Sequence, residues 1–280
     1  MNERKFFVMN LAVSALLGGL SSAAYADPII YISDTSDNIG QVDIATQSVV
    51  LGSVHNTGVA LTDIAFNSTS AFYGTSFSNF YQINPSTGAA TNLGAYTNET
   101  GMNALGPSGG TSLIGGSFLD TNVYSINPAS PTTPTVLKTV SQVSAGDFAF
   151  VGSTLYESAG TLGNPDELIN VSNNTVVGTF HVGTISGPTL DTVYGLADDG
   201  TTLYAVNGTD VYSVDPATAV LTFLFDYSLA ENGQDLTDAT GSAFIGEGPT
   251  PPTVPEPSTI ALLGAGLLGL TLTWRRCRQV

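Results

Sequence analysis

Carboxylates are the chemistry this sequence offers in quantity. It has 23 Asp and Glu residues against six Lys and Arg, with two histidines and one cysteine. Cys277 lies in the C-terminal tail, which removes thiol catalysis and zinc thiolate sites from the rest of the chain. His55 and His181 follow similar apolar runs and are expected on outer strands of two separate repeat units, the first and the fourth. That separation exceeds the hydrogen-bond reach a general base needs. Lys138 alone would have to hold an anionic substrate. The expectation is therefore no catalytic residue and no cofactor-binding residue. Ligation of a metal by oxygen remains. Asp63, Asp147 and Asp238 each open a similar phrase, so a repeat fold would gather them at one end of a central channel. Calcium, a hard cation that accepts about six to eight oxygens in flexible geometry, is the ion such a group would take. The competing expectation is that each aspartate only caps its local turn by accepting backbone N–H groups. Two further acidic loops, Asp34–Asn38 and Asp166-Glu167, do not match an EF-hand.

These residues are positioned by a repeat. One phrase recurs as Phe80–Gly88 (FYQINPSTG), Val123–Pro128 (VYSINP) and Val211–Thr218 (VYSVDPAT), with degenerate copies at Ile39–Thr46 and Leu168–Ser172. A second phrase precedes it: Asp63–Phe66 then Ala71–Gly74, Asp147–Phe150 then Thr154–Tyr156, and Tyr194–Ala197 then Thr202–Tyr204. Alternating apolar and polar residues, broken by Asn-Pro and Asp-Gly turn chemistry, predict strands. Four short strands per unit of roughly 40–45 residues is the pattern of a β-propeller blade. Five copies predict an all-β propeller of five blades, with a stacked β-solenoid as the alternative. The first copy lacks its opening strand. The segment Gln234–Phe244 resembles Leu61–Phe66 and the residues after it, so the C-terminal strand is expected to complete the first blade and leave no long open edge. The repeats are similar to those of secreted propellers, with no named family.

The segment 27–253 contains 21 acidic residues and one base, Lys138, a net charge of −20. A phosphate backbone needs a basic surface, so nucleic acid is excluded as a partner, and anionic membrane with it. Disorder does not fit, because apolar and aromatic residues are plentiful and regularly placed. Without a disulfide, a hydrophobic core must hold the domain together, and the chain is long enough to form one.

The two ends are different in kind. Arg4 and Lys5 precede an apolar run from Phe6 to Leu20, and Ala24-Tyr25-Ala26 is a small-x-small cleavage site. Residues 1–26 thus read as a signal peptide for the Sec machinery. Residues 27–245 form the repeat domain, and 246–253 a Pro/Gly linker. Then come Val254-Pro255-Glu256-Pro257, an apolar segment Thr259–Trp274, and the basic residues Arg275, Arg276 and Arg278. The prolines bar helix and hold the motif extended. The apolar segment is at the short end of what spans a bilayer, and the arginines keep the tail in the cytoplasm.

This order of motif, hydrophobic helix and basic tail in 254–280 resembles the PEP-CTERM sorting signal. The resemblance implies recognition by a membrane-embedded exosortase, cutting near the motif and transfer of the domain from the inner membrane to the cell surface or exterior. It also implies association with exopolysaccharide. The expected protein is a non-enzymatic surface or extracellular-matrix component. A propeller hydrolase or lyase with a channel metal, and a ligand-binding or adhesin module, are the alternatives.

Overall fold

The structure, a computed structural model, describes residues 28–161, 163–229 and 236–249. The expected signal peptide, the sorting motif, the apolar C-terminal segment and its basic tail lie outside the described residues.

Strands are numbered in chain order. Blade 2 is the simplest: β5 (Asp63–Phe66), β6 (Phe72–Thr75), β7 (Asn79–Ile83) and β8 (Ala90–Ala95) form an antiparallel meander. Blade 3 repeats it with β9 (Met102–Pro107), β10 (Leu113–Ser117), β11 (Asn122–Ile126) and β12 (Thr135–Thr139). Blade 4 has β13 (Ser144–Val151), β14 (Thr154–Ala159), β15 (Glu167–Asn170) and β16 (Thr175–Thr179). Blade 5 has β18 (Val193–Asp198), β19 (Leu203–Asn207), β20 (Asp210–Asp215) and β21 (Val220–Asp226), and β17 (His181–Val182) adds to its outer edge in parallel. Blade 1 is shared between the two ends of the ring. Its inner strand is β22 (Ala239–Ala243), paired with β1 (Ile29–Asp34); β2 (Asn38–Asp43) comes next, and β3 (Ser48–Val49) and β4 (His55–Asn56) both pair with β2. The five inner strands β22, β5, β9, β13 and β18 lie side by side around the axis and close the ring. The fold is the expected five-bladed β-propeller, closed by the C-terminal strand.

The repeated Asn/Asp-Pro phrase has a local cause. Its polar residue ends the third strand and turns the chain by accepting backbone N–H groups ahead of it. Asp43 Oδ1 accepts from Ala45 and Thr46, Asn84 from Ser86, Asn127 from Ala129, and Asp215 from Ala217. This is Asx-turn chemistry, and proline next in sequence cannot compete as a donor.

No single core fills the molecule. Five apolar clusters lie one at each blade-to-blade contact. Between blades 1 and 2, Phe66 and Phe72 stack with ring centroids 4.2 Å apart, and Tyr31 meets them edge-on at 4.9 and 5.4 Å. Between blades 3 and 4, Ala104 and Val123 meet Phe148, Phe150 and Leu155. Burying each large side chain stabilises the ring by roughly 1.5–3 kcal/mol. Each blade is thus held by both neighbours.

Candidate functional site: carboxyls on the propeller axis

The ladders define one position that recurs on all five inner strands. Asp63 faces Thr75, which in turn faces Phe80 at the head of the repeated phrase. By the same pairing the slot holds Ala104 in blade 3, Gly195 in blade 5 and Gly241 in blade 1. In blade 4 it holds Asp147, one residue before the Phe148–Glu157 pair. Two aspartates and three very small residues therefore ring the axis. The small residues make the room: a Cβ on Gly241 would overlap the Asp63 carboxyl.

Asp63 and Asp147 are fully buried and hydrogen-bonded to each other across the axis. Asp63 accepts the N–H of Ile64 (2.7 Å) and, from blade 3, that of Leu105 (2.6 Å). Asp147 accepts from Phe148 (2.6 Å), from Leu196 in blade 5 (2.9 Å), and from the N–H and hydroxyl of Ser242 in blade 1 (3.2 Å each). One carboxyl pair thus receives donors from the inner strands of all five blades. Burial pushes both groups well above the usual carboxylate range, and for Asp63 the charge of Asp147 adds to it. Asp147 has the more numerous donors, so it is the ionised partner and Asp63 keeps the shared proton.

The sequence expectation placed Asp63, Asp147 and Asp238 together. The structure joins the first two only. Asp238 is exposed and lies three residues before Gly241, which holds the slot in the closing strand. The register follows Ala243 and Phe244, which pack as Ala65 and Phe66 do, rather than the shared Leu-Thr-Asp start. Among the described residues, no three His, Cys, Asp or Glu side chains converge to hold a metal ion. The histidines sit on the edges of two blades. His55 pairs with β2 of blade 1, and His181 joins blade 5 rather than blade 4, its Nδ1 against the Gly187 carbonyl. In the acidic loops, Asp34 caps its own turn by accepting from Ser36 and Asn38, and Thr237 of the closing segment also donates to it. Asp166 accepts from Val193 and is pushed up to about 7 by burial, with Asp191 adding.

Three buried carboxyls escaped the sequence reading. Glu157 is fully buried between blades 3 and 4 and pushed up to about 8 by burial. Asp198 ends β18, and burial raises it to about 7. Glu247, in the segment expected to start the linker, folds back onto the ring; burial first, then Asp147, push it well above the usual range. A lone acid in a degenerate repeat has no sequence mark that separates it from a solvated turn.

At the other end of the chain's chemistry, the comparison with known families is decisive. Residues 253–278 match the PEP-CTERM protein-sorting motif. The motif implies export, anchoring by the C-terminus before processing, and processing by an exosortase. The PEP-CTERM segment covers the tail alone. No curated protein matches the chain in sequence. Solved structures resemble it in fold. A chain of a nidogen/laminin complex is 11% identical with a TM-score of 0.51, covering 78% of this chain and 98% of that one. A Bacteroides caccae protein of unknown function is 12% identical with a TM-score of 0.49, covering 79% and 99%. The glutaminyl cyclase of Myxococcus xanthus is 19% identical with a TM-score of 0.44, covering 62% and 73%. Likeness at this level concerns the fold and not the chemistry.

Proposed function

We propose that this chain is a non-enzymatic component of the cell surface or extracellular matrix, delivered by its PEP-CTERM tail. On this reading the Sec machinery exports it and the signal peptide is cut after Ala26. The 259–274 segment holds it in the inner membrane with Arg275, Arg276 and Arg278 in the cytoplasm. An exosortase then cuts near Val254–Pro257. The observation that carries the reading is the motif match at 253–278. The axis supports the non-enzymatic part: the carboxyl pair at its centre is engaged by the ring's own N–H groups. Exopolysaccharide is the partner class that the sorting resemblance brings with it. A net charge of −20 in 27–253 favours a neutral glycan, since a polyanion is repelled.

The test replaces Pro255, Glu256 and Pro257 by alanine in a host with an exosortase. The parent should be shortened and leave the inner membrane. The variant should stay there at full length, because the extended motif is gone while the apolar segment and arginines still anchor it. Normal processing of the variant would overturn the sorting reading.

A further inference from the structure

The face where the inner strands end holds a second group of carboxyls. After β22 the chain turns through Gly246 and Gly248, with φ of 85° and 149°, conformations glycine adopts without strain. The turn brings the Glu247 side chain back against the ring, where it is 8% exposed. Its Oε1 accepts the Asp198 N–H (3.1 Å) and its Oε2 the Phe244 N–H (3.3 Å). Asp198 is 4% exposed, and its Oδ1 has no hydrogen-bond partner. Both residues line a cavity of about 60 Å³, closed by Gly200 and the Ile245–Gly248 turn. That volume holds a cation with one or two waters, taking roughly 30 Å³ for each water.

The charge balance around this cavity is one-sided. Asp147 lies behind Glu247 on the axis. Asp199 stands at the mouth; despite its burial, hydrogen bonds from Thr201, Thr202 and Tyr204 hold it below the usual range. The one base of 27–253, Lys138, is on β12 and donates to the carbonyls of Val171 and Ser172. Asp198 lines the cavity and its buried Oδ1 is left without a partner, which is costly unless something supplies one. We propose that this cavity is a divalent-cation site, with Asp198 and Glu247 as its carboxylate ligands and calcium as the fitting ion. The proposal is independent of how the chain is sorted.

A cation here must displace protons, because ligands bind it deprotonated. The groups facing it are Asp198 on β18, Glu247 after β22, Asp147 on β13 and Asp199 in the loop after β18.

The experiment uses the full chain in detergent, stripped with a chelator. Calcium is titrated calorimetrically at pH 7.5. The expected result is one site per chain, filled at millimolar calcium. Asp198→Asn and, separately, Glu247→Gln should each weaken binding at least tenfold, while Asp34→Asn leaves it unchanged. No binding at millimolar calcium overturns the proposal. So does binding that survives both substitutions. If a variant fails to fold, the parent chain decides: millimolar calcium should raise its melting temperature, and no rise overturns the proposal.

Discussion

Asp147 shows how much one side chain can hold. Its carboxylate receives donors from blades 4, 5 and 1, and its partner Asp63 adds blades 2 and 3. Alanine at 147 would leave the N–H groups of Phe148, Leu196 and Ser242 buried without acceptors and Asp63 without its partner. An unsatisfied buried group costs roughly 1–3 kcal/mol, and three N–H groups are left at once. Asp147→Ala should therefore lose about 4 kcal/mol or more, read as a fall in the denaturant midpoint with unchanged slope. Gly241→Ala should also destabilise the ring, through overlap with Asp63 rather than lost bonding. A loss below about 1 kcal/mol for Asp147→Ala would show that the axis does not clamp the blades. At this scale the sequence was half legible. Asp63 and Asp147 stand at matching places in a repeated phrase, and that match is what joins them. Glu157, Asp198 and Glu247 have no such match, because their burial comes from neighbouring blades that are distant in sequence.

The strand that closes the ring carries a different lesson. Asn-Pro and Asp-Pro turns announced blades 2, 3 and 5 because an Asx turn is local chemistry, complete within a few residues. Register is not local. Leu236-Thr-Asp238 repeats the start of Leu61-Thr-Asp63, but the closing segment is three residues longer, and the two ends of the match compete. Packing decides: Phe244 is 5% exposed and lies against Tyr204, centroids 5.6 Å apart, and Ala243 packs between blades 1 and 2. A shift of even one residue would turn these side chains to the wrong face. Phe244→Ala should cost about 3–5 kcal/mol, as truncation of a buried Phe does. Because β22 is the inner strand of blade 1, the damage should be regional. Hydrogen exchange is expected to quicken in β1, β2 and β22 while blade 3 keeps its protection. Uniform loss across all blades would mean that closure and blade stability cannot be separated.

Taken whole, the ring gathers acids with a single lysine, Lys138, to answer them, and this sets its response to pH. Burial raises Asp63, Asp147, Glu157, Asp166, Asp198 and Glu247 above their ordinary values. A raised group binds its proton more tightly folded than unfolded. Its stabilisation is complete below about pH 4 and is lost as pH climbs through the folded value. Those values are about 7 for Asp166 and Asp198 and about 8 for Glu157. For Glu157 alone the shift corresponds to on the order of 5 kcal/mol. Asp199, held low by its hydrogen bonds, acts in the opposite sense and loses its contribution only as pH falls below about 4. The stability maximum is thus expected near pH 4, with a decline from there toward pH 8. Surface repulsion at a net −20 has the same sign, so the two must be separated. High salt screens exposed charges over a few ångströms but leaves buried ones largely untouched. Melting followed from pH 4 to 9 with chelator present should therefore fall at alkaline pH even in about 0.5 M salt, where the Debye length is roughly 4–5 Å. A decline that salt abolishes would place the pH sensitivity on the surface, and a melting temperature that rises toward pH 8 would rule out both causes.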